Sequence, residues 1–358
     1  MKYVLLIAVL ALSVWADFNP SDFSKQTYTN SAYSIGSMPY QFFKPANYTA
    51  AKKYALVLCL HGAGQAGTDG SYDNLVPGGP ALFADNANQA SHPCFIVAPQ
   101  CPASGDWKWV NWDWGESNCA YRASVTAGQA GTAIYEPLQM ALAIVDQIIK
   151  NNSIDTTRLY ITGLSMGGWG TWDAITRFPN KFAAAAPICG GGDSSKAYRI
   201  VQGKVGVWAF HSQDDDVVPF SNSVCMIDAM TRAGGTPKHT WYNGLGHGCW
   251  DAAYSTAGLV DWFFSFSKTP TAAQPEPAAF SSRPPGAFML ALNGTAIGVT
   301  VAAGPATVSI LDMSGKLIAA RNARAGVRAD FRVGAPGMHF AVVNCRGSTT
   351  SQQFAVGR

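Results

Sequence analysis

The feature that most constrains the fold is an alternation of short apolar runs with segments of helical periodicity. Five runs are predicted to be buried strands: 54–60 (YALVLCL), 94–98 (CFIVA), 158–162 (RLYIT), 182–188 (FAAAAPI) and 205–210 (VGVWAF). Helical periodicity is found at 135–150, 165–177, 221–232 and 257–266. Strands that alternate with helices form a parallel sheet with helices on both faces. The sequence therefore predicts an α/β fold with a doubly wound, mostly parallel sheet.

The chain changes composition near its C-terminal end. All 11 Trp and all 13 Tyr precede residue 263. Residues 268–286 are rich in Pro and Ala, show no periodicity and are predicted to be a linker. In residues 287–358, short β-type runs alternate with Gly, Pro and Asn turns, as is typical of a small all-β sandwich. We therefore expect an α/β domain over residues 17–267 and an all-β domain after the linker.

The N-terminus has the pattern of an export signal. Lys2 precedes an apolar run over residues 4–15, and Val14 and Ala16 occupy the −3 and −1 positions of a cleavage site. Residues 1–16 are therefore predicted to be a signal peptide. A bilayer span needs roughly 20 apolar residues, and no later stretch of the sequence is long and apolar enough. We expect a secreted protein without a membrane span.

The balance of charge limits the classes of partner. Hydrophobic residues make up 48% of the chain, charged residues make up 13%, and the formal net charge is +3. A disordered chain has few apolar residues and a high net charge, and a nucleic-acid-binding domain carries a strongly basic surface. The sequence therefore predicts a globular protein that has no nucleic acid as its partner.

Eight cysteines lie in a chain that is expected to reach an oxidising compartment. Their spacing contains no CxxC and no neighbouring His pair, so it matches no zinc site. Cys59 lies inside an apolar strand and is expected to be a buried thiol. Cys101 with Cys119 and Cys189 with Cys249 are candidate disulfides, although spacing alone does not determine the pairing.

The motif GLSMG at residues 163–167 stands between a predicted strand and a predicted helix. G-x-S-x-G in this context is typical of a sharp turn that exposes a nucleophilic serine. The backbone comes close on both sides of the serine, so each flank needs a residue without a Cβ. The N-terminus of the following helix favours negative charge on the reacting oxygen. Ser165 is therefore the predicted nucleophile.

A serine nucleophile needs a base, and the base needs an orienting carboxylate. In this type of fold they follow in the order Ser, Asp or Glu, His. The segment HSQDDDVVP at residues 211–219 follows a predicted strand, and its register favours Asp215 as the acid. Asp214 and Asp216 are alternatives, and a calcium-binding acidic loop is another interpretation of the three acids. His247, in a glycine-rich loop after the strand HTWY, is the predicted base.

Acyl transfer also needs N–H donors for the oxyanion of the tetrahedral intermediate. We expect one from the backbone of Met166, the residue after the serine. The other is expected from Ala63, or next from Gly64, in the loop after the first predicted strand. His61 is expected to hold that loop in place, and His211 is expected to pack at the end of its strand.

Four Trp residues lie close together in DWKWVNWDW, a segment that follows the strand CFIVA and so lies on the active-site side of the sheet. Trp surfaces stack on aromatic or sugar rings at low entropy cost. The predicted substrate-binding residues are Trp107, Trp109, Trp112, Trp114 and Trp250, the last of which comes three residues after the predicted base. Packing inside the protein is the alternative for the four clustered indoles.

Most of residues 30–266 resemble the α/β-hydrolase superfamily. The similarity is to the secreted esterases near the dienelactone-hydrolase, polyhydroxyalkanoate-depolymerase and feruloyl/acetyl-xylan-esterase groups. Residues 163–192 also resemble the group of phospholipase/carboxylesterase-like proteins and peptidases. The segments that carry it are 54–64, 96–102, 159–189 and 207–250. The resemblance implies a triad of Ser165, Asp215 and His247, with no cofactor and no metal. Ser212 departs from the superfamily pattern H-G-x-x-D-x-x-V-P, in which Gly is usual at that position.

The C-terminal domain has none of the Trp or Tyr residues that a carbohydrate-binding module usually exposes. Its pattern VSILDMSGKLI…GMHFAVV resembles the sorting domains that end type IX secretion cargo in Bacteroidetes- and Fibrobacter-like bacteria. That resemblance implies a secreted or cell-surface bacterial protein, with the secretion machinery as a partner of this domain.

These resemblances imply a secreted serine esterase that forms an acyl-enzyme. Export and the Trp segment favour feruloyl or acetyl esters of plant cell-wall polysaccharide as its substrate. A serine peptidase would use the same three residues and is the first alternative. A non-catalytic polysaccharide-binding protein is the alternative from another class.

Overall fold

The computed structural model describes residues 17–103, 108–110 and 134–269, together with the strands between residues 288 and 356. The chain divides into two compact units, Met1–Pro270 and Thr271–Arg358. The predicted signal peptide and all but the first two residues of the predicted linker lie outside the described residues.

The first unit is built on an eight-stranded sheet. Its strands are β1 (Phe23–Thr29), β2 (Ser37–Phe43), β3 (Tyr54–Leu60), β4 (Cys94–Pro99), β5 (Ile154–Leu164), β6 (Ala184–Ile188), β7 (Gly206–Ser212) and β8 (Lys238–Tyr242). They lie in the order β1-β2-β4-β3-β5-β6-β7-β8. β2 pairs antiparallel with both β1 and β4, and the other neighbours pair in parallel. The predicted α/β fold with a mostly parallel sheet is confirmed.

Helices cover both faces of this sheet. They are α1 (Tyr72–Leu75), α2 (Gly79–Ala84), α3 (Asn86–Ser91), α4 (Glu136–Asn151), α5 (Met166–Arg177), α6 (Tyr198–Gln202), α7 (Ser221–Arg232), α8 (Trp250–Tyr254) and α9 (Leu259–Phe264). Side chains alternate across a strand, so β3 sends Leu56 and Leu58 into the core under α4, α5 and α7. Val57 points to the opposite face and joins the core under α2, α8 and α9. The fully apolar sequence of β3 follows from burial on both faces.

The observed helices follow the predicted periodicity with small differences at their ends. α7 has the predicted bounds, whereas the helix predicted at 257–266 begins at Leu259. Gly258 precedes it with φ +74°, a left-handed conformation that cannot continue a helix. Among the helices that the structure describes, none has the length and apolar character needed to cross a bilayer.

The second unit consists of antiparallel strands. They are β9 (Phe288–Asn293), β10 (Ala296–Val301), β11 (Ala306–Asp312), β12 (Leu317–Ala323), β13 (Arg328–Arg332), β14 (Gly337–Cys345) and β15 (Ser348–Val356). One sheet has the order β13-β10-β9 and the other β12-β11-β14-β15. Val299 of the first sheet and Val308 of the second belong to one buried apolar cluster. The all-β character predicted for this part of the chain is confirmed.

Two of the cysteine predictions are wrong. Cys101 is a free, completely buried thiol, so no disulfide joins it to Cys119, which lies outside the described residues. Burial raises the pKa of the Cys101 thiol to about 12. Cys189 and Cys249 are also free and buried, and their side chains meet through an S–H hydrogen bond rather than an S–S bond. Cys59 is the buried thiol that its strand predicted.

Candidate active site

Ser165 stands in a strained turn between β5 and α5. Its backbone has φ +52° and ψ −117°, a conformation that is rare for residues other than Gly. Its N–H donates to the carbonyl of Ile188 at 3.0 Å, and its carbonyl accepts from the N–H of Trp169 at 3.1 Å as the helix begins. The surrounding hydrogen bonds therefore hold the serine at the carboxyl end of the parallel strands, where ligands bind in sheets of this kind.

The glycines on both sides of Ser165 have no room for a Cβ. A Cβ on Gly163 would lie 2.4 Å from the carbonyl oxygen of Gly167. A Cβ on Gly167 would lie 2.0 Å from the carbonyl oxygen of Leu60, and one on Gly168 would lie 2.3 Å from that of Ile188. All three neighbours are backbone atoms that cannot rotate away. The steric requirement predicted from the motif is confirmed.

Ser165, His247 and Asp215 form a hydrogen-bonded chain. Nδ1 of His247 lies 2.8 Å from Oδ2 of Asp215, and Nε2 of His247 lies 2.8 Å from Oγ of Ser165. Because a carboxylate only accepts, the ring hydrogen is assigned to Nδ1, and Nε2 is left to accept from the serine. The three residues follow the carboxyl ends of the parallel strands β5, β7 and β8, and so lie on the same side of the sheet.

Asp215 is completely buried and has four hydrogen-bond donors around it. Oδ2 accepts from His247 and also from Nε2 of His211 at 3.0 Å, and Oδ1 accepts from the N–H groups of Val217 and Val218 at 2.9 and 2.8 Å. Burial alone would raise the pKa of the Asp215 carboxyl, but the hydrogen bonds from His211, His247 and the two N–H groups outweigh it. The pKa of Asp215 therefore lies well below its usual range, and the group stays ionised.

The structure distinguishes the three successive acids. Only Asp215 contacts His247 among the described hydrogen bonds, whereas Asp214 is exposed and accepts the N–H groups of Gly244 and Gly246 at 2.9 and 3.2 Å. Asp216 is exposed. Because the carboxylates of Asp214 and Asp215 both face N–H donors, they do not converge on a common cation, as a calcium loop would require.

His211 was expected only to pack at the end of its strand, and its contact with Asp215 was missed. It is completely buried, with Nδ1 2.7 Å from Oγ of Ser223 and Nε2 3.0 Å from both Asp215 and the carbonyl of Val218. Nε2 faces acceptors only, so it carries a hydrogen. The sequence places His211 four residues before Asp215, but this spacing predicts a contact only when both side chains face inward, and the strand pattern does not show that for Asp215.

The loop after β3 lies beside the nucleophile, as predicted. A Cβ on Gly62 would lie 3.5 Å from Cβ of Ser165, and Ala63 and Gly64 follow in a 3₁₀ turn. Met166 occupies the first position of α5, where a backbone N–H has no intrahelical acceptor. Met166, Ala63 and Gly64 thus occupy the places from which an oxyanion can be bound, and their role stays a prediction.

His61 holds this loop through three hydrogen bonds. Its Nε2 accepts the N–H of Cys101 at 2.9 Å, so the hydrogen lies on Nδ1, which donates to the carbonyl of Gly62 at 2.6 Å. Its carbonyl accepts the indole N–H of Trp109 at 3.0 Å. Burial lowers the pKa of His61 to about 4, so the ring is neutral at pH 7.

The prediction that Trp109 binds substrate is wrong. Trp109 is completely buried in the core, where its ring packs edge-on against His61. Trp107, Trp112 and Trp114 lie outside the described residues. Trp250 is half-buried, and its ring meets the His247 ring edge-on, with the centroids 5.7 Å apart. Its position beside the histidine is therefore known, and a contact with substrate stays a prediction.

One group of metal-ligand types occurs among the described residues. The donor atoms of Cys189, Asp215 and His247 lie within 4.8 Å of one another. Asp215 and His247 are already hydrogen-bonded to each other, and burial raises the pKa of Cys189 well above its usual value. A metal ligand must be deprotonated, so this arrangement suits proton transfer better than metal binding.

Comparison with known proteins gives matches to hydrolases. Residues 115–259 match the family model described as the Dienelactone hydrolase family. A bifunctional acetylxylan esterase/xylanase of Neocallimastix patriciarum is 40% identical over 84 residues, which are 23% of this chain and 12% of that protein. Poly(3-hydroxyalkanoate) depolymerase C of Paucimonas lemoignei is 32% identical over 187 residues, which are 52% of this chain and 37% of that protein.

A solved thermostable esterase is 35% identical and superposes with a TM-score of 0.61, covering 70% of this chain and 64% of that one. The chain thus spans less than two thirds of each of these proteins. The expected resemblance to α/β-hydrolase esterases is confirmed.

Proposed function

We propose, from the α/β-hydrolase fold and the similarity to esterases, that this protein is a secreted serine esterase. It hydrolyses carboxylic esters through an acyl-enzyme, with Ser165 as nucleophile, His247 as base and acid, and Asp215 as the orienting carboxylate. The observation that carries the proposal is the hydrogen-bonded chain in which His247 lies 2.8 Å from Ser165 on one side and 2.8 Å from Asp215 on the other.

In the first half of the reaction, Nε2 of His247 takes the proton of Ser165 as Oγ attacks the ester carbonyl carbon. The buried Asp215 carboxylate keeps the other ring hydrogen on Nδ1 and stabilises the imidazolium. The N–H groups of Met166 and Ala63 or Gly64 bind the oxyanion. The tetrahedral intermediate then expels the alcohol, which takes the proton from His247.

In the second half, water replaces the alcohol. His247 takes a proton from the water as its oxygen attacks the acyl carbon, and returns that proton to Oγ of Ser165 as the carboxylic acid leaves. No step requires a metal or an organic cofactor, because the serine, the histidine and the backbone N–H groups supply nucleophile, proton transfer and charge stabilisation.

The proposed substrates are acetyl or feruloyl esters of plant cell-wall polysaccharide. The similarity to an acetylxylan esterase/xylanase supports an acetyl ester on a xylan. Trp250 beside His247 offers aromatic surface for a sugar or feruloyl ring, and the proposal adds Trp107, Trp112 and Trp114 of the Trp-rich segment to that surface. The similarity to a polyester depolymerase makes an aliphatic polyester the second candidate substrate.

The proposed location is outside a bacterial cell. Residues 1–16 have the pattern of a cleaved export signal, and residues 287–358 resemble a sorting domain through which the secretion machinery would bind.

The experiment that tests the function uses residues 17–358 with acetylated xylan, methyl ferulate, poly(3-hydroxybutyrate) and a peptide amide, next to Ser165→Ala. Ester cleavage that is lost in the variant supports the proposal and ranks the acyl groups. Cleavage of the amide without ester turnover would assign a peptidase instead. If no substrate is turned over and a fluorophosphonate does not label Ser165, the enzyme proposal is wrong.

A further inference from the structure

His247 is held in a loop that has little packing of its own. This histidine loop, residues 243–248, follows β8 and leads into α8. Two of its glycines have left-handed backbones, Gly244 with φ +81° and Gly246 with φ +54°, and a Cβ on either would meet nothing within 4 Å. Leu245 between them is 42% exposed. Side-chain burial therefore does not account for the position of this part of the loop.

Three successive N–H groups of the histidine loop instead point at one pair of side chains. The N–H groups of Gly244 and Gly246 donate to Oδ1 and Oδ2 of Asp214, at 2.9 and 3.2 Å. The N–H of Leu245 donates to Oγ of Ser212 at 3.3 Å. Consecutive N–H groups of this kind form a small concave site for negative charge. Here the charge comes from the protein itself.

Ser212 links this site to the sheet. It is completely buried as the last residue of β7, and its Oγ donates to Oδ1 of Asp214 at 2.5 Å. Together with the N–H groups of Gly244 and Gly246, that bond lowers the pKa of the Asp214 carboxyl, with the Ser212 bond as the largest cause. The hydroxyl therefore fixes the carboxylate while accepting from the loop. A glycine, which is usual at this position of the superfamily pattern, has no group that could do either.

We propose that Ser212 and Asp214 are a positioning pair, which holds the histidine loop so that His247 reaches Ser165 and Asp215 at the same time. The proposal rests on the proposed function, because it concerns the geometry of that reaction. The pair does not contact Ser165 among the described hydrogen bonds, and its bonds to the N–H groups of the histidine loop are the route by which it positions His247.

The requirement for such a pair follows from the distances in the site. The His247 ring must keep two hydrogen bonds of 2.8 Å, one on each side. A displacement of about 1 Å can cost about 100-fold in rate. The C-terminal end of the loop is fixed by Cys249, which follows it and is completely buried. The Ser212–Asp214 pair restrains the exposed part of the loop, residues 244–246.

The adjacent acids then have separate tasks. Asp215 holds the imidazole ring, and Asp214 holds the backbone that carries it. Asp216 is exposed and serves as the matched control, because it differs from Asp214 by two positions and carries the same charge.

The test compares residues 17–358 as wild type, Asp214→Ala, Ser212→Ala, the double variant and Asp216→Asn. We expect Asp214→Ala to lower kcat about 10-fold with KM within about 2-fold, because the loop is displaced while the substrate surface stays. The double variant should lose about as much as Asp214→Ala alone, since the two residues act as a unit. Asp216→Asn should match the wild type.

Hydrogen exchange on a peptide that spans the histidine loop gives a readout independent of turnover. Its amides should exchange at least about 10-fold faster in Asp214→Ala than in Asp216→Asn. Equal exchange in the two variants, a kcat equal to that of Asp216→Asn, or a loss confined to KM would each overturn the proposal. An inactive wild type that a fluorophosphonate does not label would defeat the proposed function, and the exchange result would still decide whether the pair holds the loop.

Discussion

Replacing Asp215 by Asn would test the assignment of the acid most directly. The amide is isosteric with the carboxylate, and its oxygen can still accept the N–H groups of Val217 and Val218, now at 2.9 and 2.8 Å from Oδ1. Its NH₂ group then takes the place of Oδ2, which lies 2.8 Å from Nδ1 of His247 and 3.0 Å from Nε2 of His211. A donor now faces His247 where an acceptor stood.

The consequence for catalysis is a change of tautomer. His247 must accept at Nδ1, so its hydrogen moves to Nε2, and the ring cannot take the proton of Ser165. In a Ser-His-Asp site this change lowers kcat by about 10⁴, which corresponds to about 5 kcal/mol of transition-state stabilisation. KM should change little, because the lost interaction belongs to the transition state. The unfolding free energy should fall by about 1–3 kcal/mol, because the buried Nε2–H of His211 loses its charged acceptor.

The assay is steady-state hydrolysis of p-nitrophenyl acetate by the Asp214→Asn, Asp215→Asn and Asp216→Asn variants, with circular dichroism to establish that each is folded. A folded Asp215→Asn protein that keeps more than about a tenth of the wild-type kcat would refute the reasoning. So would a larger loss in Asp216→Asn.

Three further predictions concern the residues that support the site. Gly167→Ala should lower the unfolding free energy by about 3 kcal/mol, because the new Cβ would lie 2.0 Å from the Leu60 carbonyl oxygen; Gly64→Ala, with nothing within 4 Å, should be near neutral in urea denaturation. Burial lowers the pKa of His61 to about 4, so the unfolded chain binds a proton that the folded protein excludes. Stability should therefore fall by up to about 3 kcal/mol as the pH drops from 6.5 to 4, and urea titrations of His61→Gln should lack that part of the loss. Trp109→Phe removes an N–H that donates to the His61 carbonyl at 3.0 Å in the core, so it should lower the melting temperature and leave KM unchanged; a raised KM with normal stability would return Trp109 to the substrate-binding residues.

Much of the central sheet was predictable because its strands are buried on both faces. β3 has the predicted bounds, since every residue from Tyr54 to Leu60 is apolar and buried. β1 was not predicted: in FSKQTYT only Phe23 is buried, and the strand is held at the sheet edge by its backbone pairing with β2. The local apolar pattern does not reveal a strand whose stability comes from backbone pairing with a neighbouring strand rather than from the burial of its own side chains.

In the candidate site, some features follow from contiguous residues and others depend on contacts that are distant in sequence. Ser165 was predictable because the strand, the turn and the helix that force its conformation are all contiguous in sequence. Trp109 was misassigned because a Trp between polar residues has the same local pattern whether its ring faces solvent or the core. The carbonyl of His61, which accepts its N–H, lies 48 residues away.

The sequence by itself determined the strand-turn-helix around Ser165, its flanking glycines and the order in which serine, acid and histidine follow one another, because sterics and strand order act locally or along the chain. The register of the sequence favoured Asp215 but left Asp214 and Asp216 open, and only the tertiary structure decided which of the three adjacent aspartates meets His247. Their carboxylates are chemically identical, and the choice depends on how β7 lies beside β8. That packing directs Asp215 inward to the imidazole and Asp214 outward to the N–H groups of the histidine loop.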